Sequence, residues 1–218
     1  FDSADALIRN SDVILLAVKP NVAPQVLREN RQAFAGKAVI SIVTGLTVQA
    51  LTALLPPDAR FLRVMPNTPA MAGAGMTALC LEHTLSPAEK AFAETLFGAI
   101  GRTVWLHESQ IDGAVGVSGS GPAYVFLFLE AMADGGVALG LSRQDAYTMA
   151  AQTILGSAKL ALESGKHPGE LKDMVCSPAG TTIQAVRVLE EKGLRSAVME
   201  AVIAAGNTSA AMSKGEKA

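Results

Sequence analysis

The residues best suited to chemistry in this chain lie in the stretch Ser177-Pro178-Ala179-Gly180-Thr181-Thr182-Ile183. Small and hydroxyl residues there lead into a helical pattern from Gln184 to Lys192 that ends at Gly193. A surface helix start commonly carries Asp or Glu against the positive end of its dipole, and this one carries neither. The N–H groups of Gly180 to Ile183 are then open to an external anion, with the hydroxyls of Ser177, Thr181 and Thr182 beside them, which is the make-up of a carboxylate-binding helix start. The same residues also read as an ordinary N-cap, with Ser177 capping and Pro178 in the first helical position. Lys19, placed where an apolar run ends, either meets a bound phosphate or stands solvated at the surface.

Other motifs carry less. Gly73-Ala74-Gly75-Met76-Thr77-Ala78 matches a dinucleotide fingerprint in letters only, because its glycines precede an apolar strand-like run instead of following a strand and opening a helix. Gly116-Val117-Ser118-Gly119-Ser120 nearly matches a nucleophile elbow, but the final glycine falls one residue late and no His-acid pair is evident. His83, His107 and His167 lack ligand spacing, so no metal site is expected, and His167 before Pro168 reads as a helix-start residue. Cys176 beside a helix start is either a reactive thiol or a small buried residue.

The elements that must position these groups come in two kinds. Residues 12–18 and 38–43 are continuous apolar runs, the pattern of strands buried on both faces of a parallel sheet. A helical stretch to about Ala35 lies between these two runs, and a short helix capped by Thr47 and reaching Leu55 leads to a third strand, 61–65. A fourth run, 76–81, precedes the helix start Ser86-Pro87-Ala88-Glu89, and 103–106 reads as a last, edge strand. Such alternation predicts an α/β Rossmann-type, open and mostly parallel sheet with ligands at the strands' carboxyl ends, where Lys19-Pro20, Thr44-Gly45 and Asn67-Thr68 fall. From about Glu108 no convincing strand follows. The all-round apolar stretch 123–133 must be buried on nearly every side, and helical patterns at 142–161, 168–175, 181–191 and 194–213 complete an all-α half. The expected domains are 1–107 and 108–218. A helix apolar all round in so small a domain points to a homodimer whose helical halves pack together, with a monomeric bundle as the alternative.

Composition narrows the class. Half of the 218 residues are hydrophobic and 17% are charged, which describes a compact folded protein. A net charge of −2 with scattered Lys and Arg gives no electrostatic reason to expect nucleic acid. Two cysteines far apart fit a reducing compartment, and the longest apolar run is too short for a membrane span, so a cytoplasmic protein is expected. The opening Phe1-Asp2-Ser3-Ala4-Asp5 reads as the cap and first turn of a helix already inside a fold.

Taken together the segments resemble the pyrroline-5-carboxylate reductase family of proline biosynthesis. The residues that carry the resemblance are Ala17-Val18-Lys19-Pro20, Pro66-Asn67-Thr68-Pro69, Ser118-Gly119-Ser120-Gly121-Pro122-Ala123-Tyr124, Asp134-Gly135-Gly136-Val137, His167-Pro168, Leu171-Lys172-Asp173 and Ser177-Pro178-Ala179-Gly180-Thr181-Thr182, in family order. The resemblance implies a Rossmann domain followed by a helical domain that dimerises, sometimes into larger rings. It also implies NADPH or NADH as cofactor and hydride transfer to the imine carbon of 1-pyrroline-5-carboxylate, giving L-proline. The substrate carboxylate would rest on Ser177 and the N–H groups of Gly180 and Thr181, with the Thr182 hydroxyl on the ring nitrogen. Ala17, Val18, Lys19, Pro20, Ile42, Val43 and Thr44 would line the nicotinamide side, with Asn67 nearby and Glu108 at the domain junction. The helical half of one subunit is expected against the Rossmann half of its partner. The sequence departs from the family at its front, where the first Rossmann units and their Gly-x-Gly-x-x-Gly-type turn are expected ahead of Phe1. A related imine or β-hydroxy-acid reductase, and a non-catalytic carboxylate-binding dimerisation module, are the alternatives.

Overall fold

The computed structural model describes residues 1–214. It divides into two compact units, one formed by Phe1–Pro122 with the residues from Ala201 on, the other by Ala123–Glu200.

The first unit holds a five-stranded sheet in the order β1 (Val13–Leu16), β2 (Ala38–Ser41), β3 (Arg60–Met65), β4 (Gly75–Cys80), β5 (Gly101–Leu106). Helices α1 (Ala4–Arg9), α2 (Ala23–Glu29), α3 (Val48–Leu54) and α4 (Pro87–Gly98) connect or flank the strands. β1, β2 and β3 pair in parallel, β4 is antiparallel to β3, and β5 is parallel to β4 at the edge. The mostly parallel Rossmann-type sheet expected from the alternation is therefore present. Every residue of β2 is buried, because the sheet is covered on both sides. Val39 joins one core with Ile8, Leu27, Phe34, Leu51 and Phe61. Its neighbours Ala38 and Ile40 join the other, with Leu62, Val64, Leu79, Ala93 and Phe97.

Local chemistry fixes the helix starts. Thr47 caps α3 by accepting from the Ala50 N–H, and Ser86 with Glu89 forms a complete capping box at α4. After β5 the chain enters α5 (Glu108–Ala114), passes through a π-helical turn, Val115–Gly119, and continues as α6 (Gly121–Ala138). The first part of this run packs on the far half of α10 (Leu194–Ser213) so closely that a Cβ on Gly116 would lie 2.5 Å from the Val202 carbonyl oxygen, and one on Gly206 3.2 Å from that of Asp112.

The second unit contains most of α6, then α7 (Arg143–Ser164), α8 (Pro168–Val175), α9 (Thr181–Glu191) and the start of α10. The Asp134-Gly135-Gly136 motif has a packing reason, since a Cβ on Gly136 would press on Leu141 and Ala146 at 3.1 and 3.3 Å. His167 caps α8, its Nδ1 accepting from the Gly169 N–H, as read from the sequence.

Two expectations need correction. The apolar stretch 123–133 is not buried on nearly every side within one chain, for Phe126 is 63% exposed and Leu127 73%. The buried core of this unit consists of Ala133, Ala146 and Ala150, too little apolar volume to cover an 18-residue helix. The apolar run 123–133 also belongs to a longer helix than the sequence suggested, because the π-helical turn joins α5 and α6 into one helix, Glu108–Ala138, long and apolar enough to cross a membrane by length and composition alone. In its first half Ile111, Val115 and Gly116 are nevertheless buried in the first unit.

Candidate active site

In the first unit the predicted cofactor-side residues gather at the carboxyl edge of the parallel strands. Leu16 of β1 is in register with Ser41 of β2, so the turns Ala17–Pro20 and Ile42–Thr44 leave the sheet side by side. The Ile42 N–H donates to the Leu16 carbonyl and the Val43 N–H to the Ser41 hydroxyl. Ala17, Val18, Lys19 and Pro20 are all exposed, and the Lys19 carbonyl accepts the N–H groups of Val22 and Ala23 that begin α2.

A cavity of about 360 Å³ opens in this unit. Thr44 and Met65 line it from the strand ends, Val115, Gly119 and Ser120 from the π-helical turn, and Ala205, Thr208, Ser209 and Met212 from α10. Its walls mix apolar side chains with hydroxyls, the usual make-up of a pocket that orients a ring system. Ser209 is buried and donates to Asp112, and Gly45, at φ +78°, brings the turn after Thr44 against Met212.

Asn67 and Glu108 are engaged within the fold. The Asn67 amide donates to the Ser118 carbonyl and accepts from the Met76 N–H, tying the end of β3 to β4 and the π-helical turn. Glu108 Oε1 accepts from the Val48 N–H at 2.7 Å and from the Arg63 guanidinium at 2.8 Å. Arg63 is 4% exposed and went unnoticed in the sequence. Its signal was there, an arginine inside the apolar strand run Phe61 to Met65, since a buried charge needs a partner. Glu82 supports the same region. It accepts the Glu108 N–H and bonds His107, and these contacts with Cys80 hold its carboxyl at about 2, well below the usual range. Burial and the Glu82 carboxylate push the Cys80 thiol up to about 12, which leaves it unreactive.

The predicted substrate-side residues lie in the second unit, at the start of α9. The ordinary N-cap reading, with Ser177 capping and Pro178 in the first helical position, does not hold: the N-cap is Gly180, which has extended backbone and no side-chain cap, and the helix begins at Thr181. The first turn holds no acidic residue. Ser177 to Gly180 form a tight turn closed by the Gly180 N–H donating to the Ser177 carbonyl. That N–H is therefore engaged, not open to an anion as the sequence suggested, and the open donors begin at Thr181. A Cβ on Gly180 would lie 2.2 Å from the Ser177 hydroxyl oxygen, so glycine lets that hydroxyl lean over the helix start. Ala179 has φ +57°, a left-handed conformation unusual for a residue with a side chain.

The rejected motifs have other uses. Gly75 packs against Ala70, and Gly101 against Gly75. Ser118 donates back to the Ala114 carbonyl within a helical turn, which no nucleophile elbow does. Among the described residues no cluster of three or more His, Cys, Asp or Glu could hold a metal ion.

An open α/β sheet with candidate ligand residues at its strand ends, followed by a helical unit with an unsatisfied apolar surface, is the architecture of a two-part dinucleotide-binding protein. Comparison with known proteins narrows this. Residues 108–212 match the family model described as pyrroline-5-carboxylate reductase dimerisation, and residues 2–45 match that of NADP oxidoreductase, coenzyme F420-dependent. The pyrroline-5-carboxylate reductase of Escherichia coli strain K12 is 47% identical over 98% of this chain and 80% of its own length. That of a Synechocystis strain is 48% identical over 94% and 76%. The crystal structure of Plasmodium falciparum pyrroline carboxylate reductase with NADP bound superposes with a TM-score of 0.92 at 35% identity, covering 98% of this chain and 81% of that one. The chain belongs to the pyrroline-5-carboxylate reductase family.

Proposed function

We propose that the enzyme reduces 1-pyrroline-5-carboxylate to L-proline, the last step of proline biosynthesis, and that the start of α9 grips the substrate. The single observation that carries the substrate side is a helix start with no side-chain cap and no acid in its first turn, beneath the Ser177 hydroxyl. The substrate carboxylate rests on Ser177 and on the Thr181 N–H, favoured by the helix dipole. Gly180 contributes the space that the Ser177 hydroxyl needs.

NAD(P)H supplies the hydride when bound. Ala17, Val18, Lys19, Pro20, Ile42, Val43 and Thr44 would hold its nicotinamide side. Their common strand edge and the adjoining cavity, lined by both apolar side chains and hydroxyls, fit a flat ring system with a polar substituent. Asn67 and Glu108 serve this side through the segments they tie together. Hydride adds at the imine carbon while the ring nitrogen, arriving protonated, keeps its proton, so no strong general acid is required. The Thr182 hydroxyl holds that nitrogen and orients the ring, a positioning contribution.

The enzyme works as a cytoplasmic homodimer, the exposed apolar surface of the second unit being the side that a second copy covers. Its small net charge offers no handle for nucleic acid. The test is NADPH oxidation with 1-pyrroline-5-carboxylate by the wild type and by Thr182→Ala. Loss of kcat/KM on the order of a hundredfold is expected, and a loss under about threefold, smaller than a useful positioning contact gives, removes Thr182 from the site.

A further inference from the structure

The ion pair between Glu108 and Arg63 ends on a backbone group at the root of the β2–α3 turn, the turn that carries Val43 and Thr44. The same oxygen, Oε1, accepts from the Arg63 guanidinium and from the N–H of Val48, the first residue of α3. Arg63 is in register with Ser41, the last residue of β2, and its side chain is 5% exposed while that of Glu108 is 29%. The turn is thus held at both ends. At Ser41 the hydroxyl accepts from Val43, and at Val48 the carboxylate of a residue 60 positions later accepts the leading N–H of the helix. Thr47 lies between, with its hydroxyl engaged by the Ala50 N–H. Glu108 itself is anchored from behind, its own N–H donating to Glu82.

We infer that Glu108 is a positioning residue for the cofactor side: through the Val48 N–H it sets the β2–α3 turn, and with it Thr44 at the cavity wall, in the position that receives the nicotinamide. The inference rests on the reductase reading above. A negative charge at the first turn of α3 is favourable on its own, and the buried guanidinium fixes where that charge stands. The carboxylate makes no demand on the substrate-gripping residues of α9. Its influence therefore falls on cofactor affinity, and the substrate's KM is left as it is.

Steady-state kinetics with NADPH and 1-pyrroline-5-carboxylate varied separately test this. In Glu108→Ala the KM for NADPH rises about tenfold or more, the usual consequence of losing a hydrogen bond to a charged group, and the KM for the imine stays within about twofold on the same scale. Glu108→Gln, which keeps an acceptor for Val48, recovers most of the NADPH affinity. Glu108→Ala also strands the Arg63 charge, so the double variant Arg63→Met with Glu108→Met separates the two effects. There the thermal midpoint recovers relative to Glu108→Ala while the raised NADPH KM persists. If the double variant restores NADPH KM together with stability, or if both KM values move in parallel, Glu108 only neutralises a buried charge and the inference fails. A wild-type enzyme without imine turnover would instead overturn the reductase reading.

Discussion

At the scale of single residues, the proposed substrate site depends on a turn whose backbone is under strain. Ala179 occupies a left-handed conformation that costs an L-residue about 1–2 kcal/mol. Ala179→Gly removes that cost and loosens the unfolded chain by a smaller amount, about 0.4–1 kcal/mol, so chemical denaturation is expected to find the variant as stable as the wild type or slightly more so. Gly180→Ala acts in the opposite sense, because its Cβ collides with the Ser177 hydroxyl. The expected result is a raised KM for 1-pyrroline-5-carboxylate with an unchanged KM for NADPH, measured in the same assay. Much of this cradle was legible in the sequence, since a helix start rich in hydroxyls and free of acids is a local pattern. The role of Gly180 was not, because moving the helix start from Ser177 to Gly180 depends on the left-handed backbone of Ala179, which no side-chain preference announces. Arg63 and Glu108 were legible only singly. Their pairing joins residues 45 positions apart and is a product of the sheet.

Among the secondary-structure elements, the strands were the easiest to read. β2 and β3 are buried on both faces, and such strands show as unbroken apolar runs. The antiparallel turn from β3 to β4 and the joining of α5 to α6 through a π-helical turn were not readable, since they depend on tertiary partners such as the Asn67 amide. Helix α4 carries a pH dependence. Arg60 and the Ser86 N–H and hydroxyl hold the Glu89 carboxyl at about 2, down from 4.5. A depressed pKa contributes stability that is fully present above the unfolded value and fades as pH falls from about 4.5 toward 2. Denaturant titrations of Glu89→Gln should show a deficit at pH 7 that shrinks steadily on acidification through that window. The crossing of α10 over the π-helical turn gives a second expectation. Gly116→Ala forces a Cβ against the Val202 carbonyl, and overpacking of this kind costs about 1–3 kcal/mol, to be read as a lowered thermal midpoint.

For the molecule as a whole, the helical unit has more apolar surface than one chain can cover. Phe126, Leu127, Met149, Leu155 and Leu162 are each more than half exposed, a surface that belongs in an interface. Sedimentation velocity at micromolar concentration is expected to find a dimer without detectable monomer, and Leu127→Glu to shift it toward monomer or render it insoluble. A wild-type monomer would refute the assignment of this surface. The division of labour between the units also explains why the sequence halves looked so different, since strands buried on both faces of a sheet and helices with an uncovered apolar side obey different periodicities. The three-alanine core of the helical unit bears on how the enzyme reaches its active form. With so little to hold it within one chain, the proposed dimer would give this unit its final order, and that step would be second order in protein. Recovery of activity after dilution from denaturant should therefore speed up with concentration, even though Ser177 to Thr182 are neighbours in a single chain.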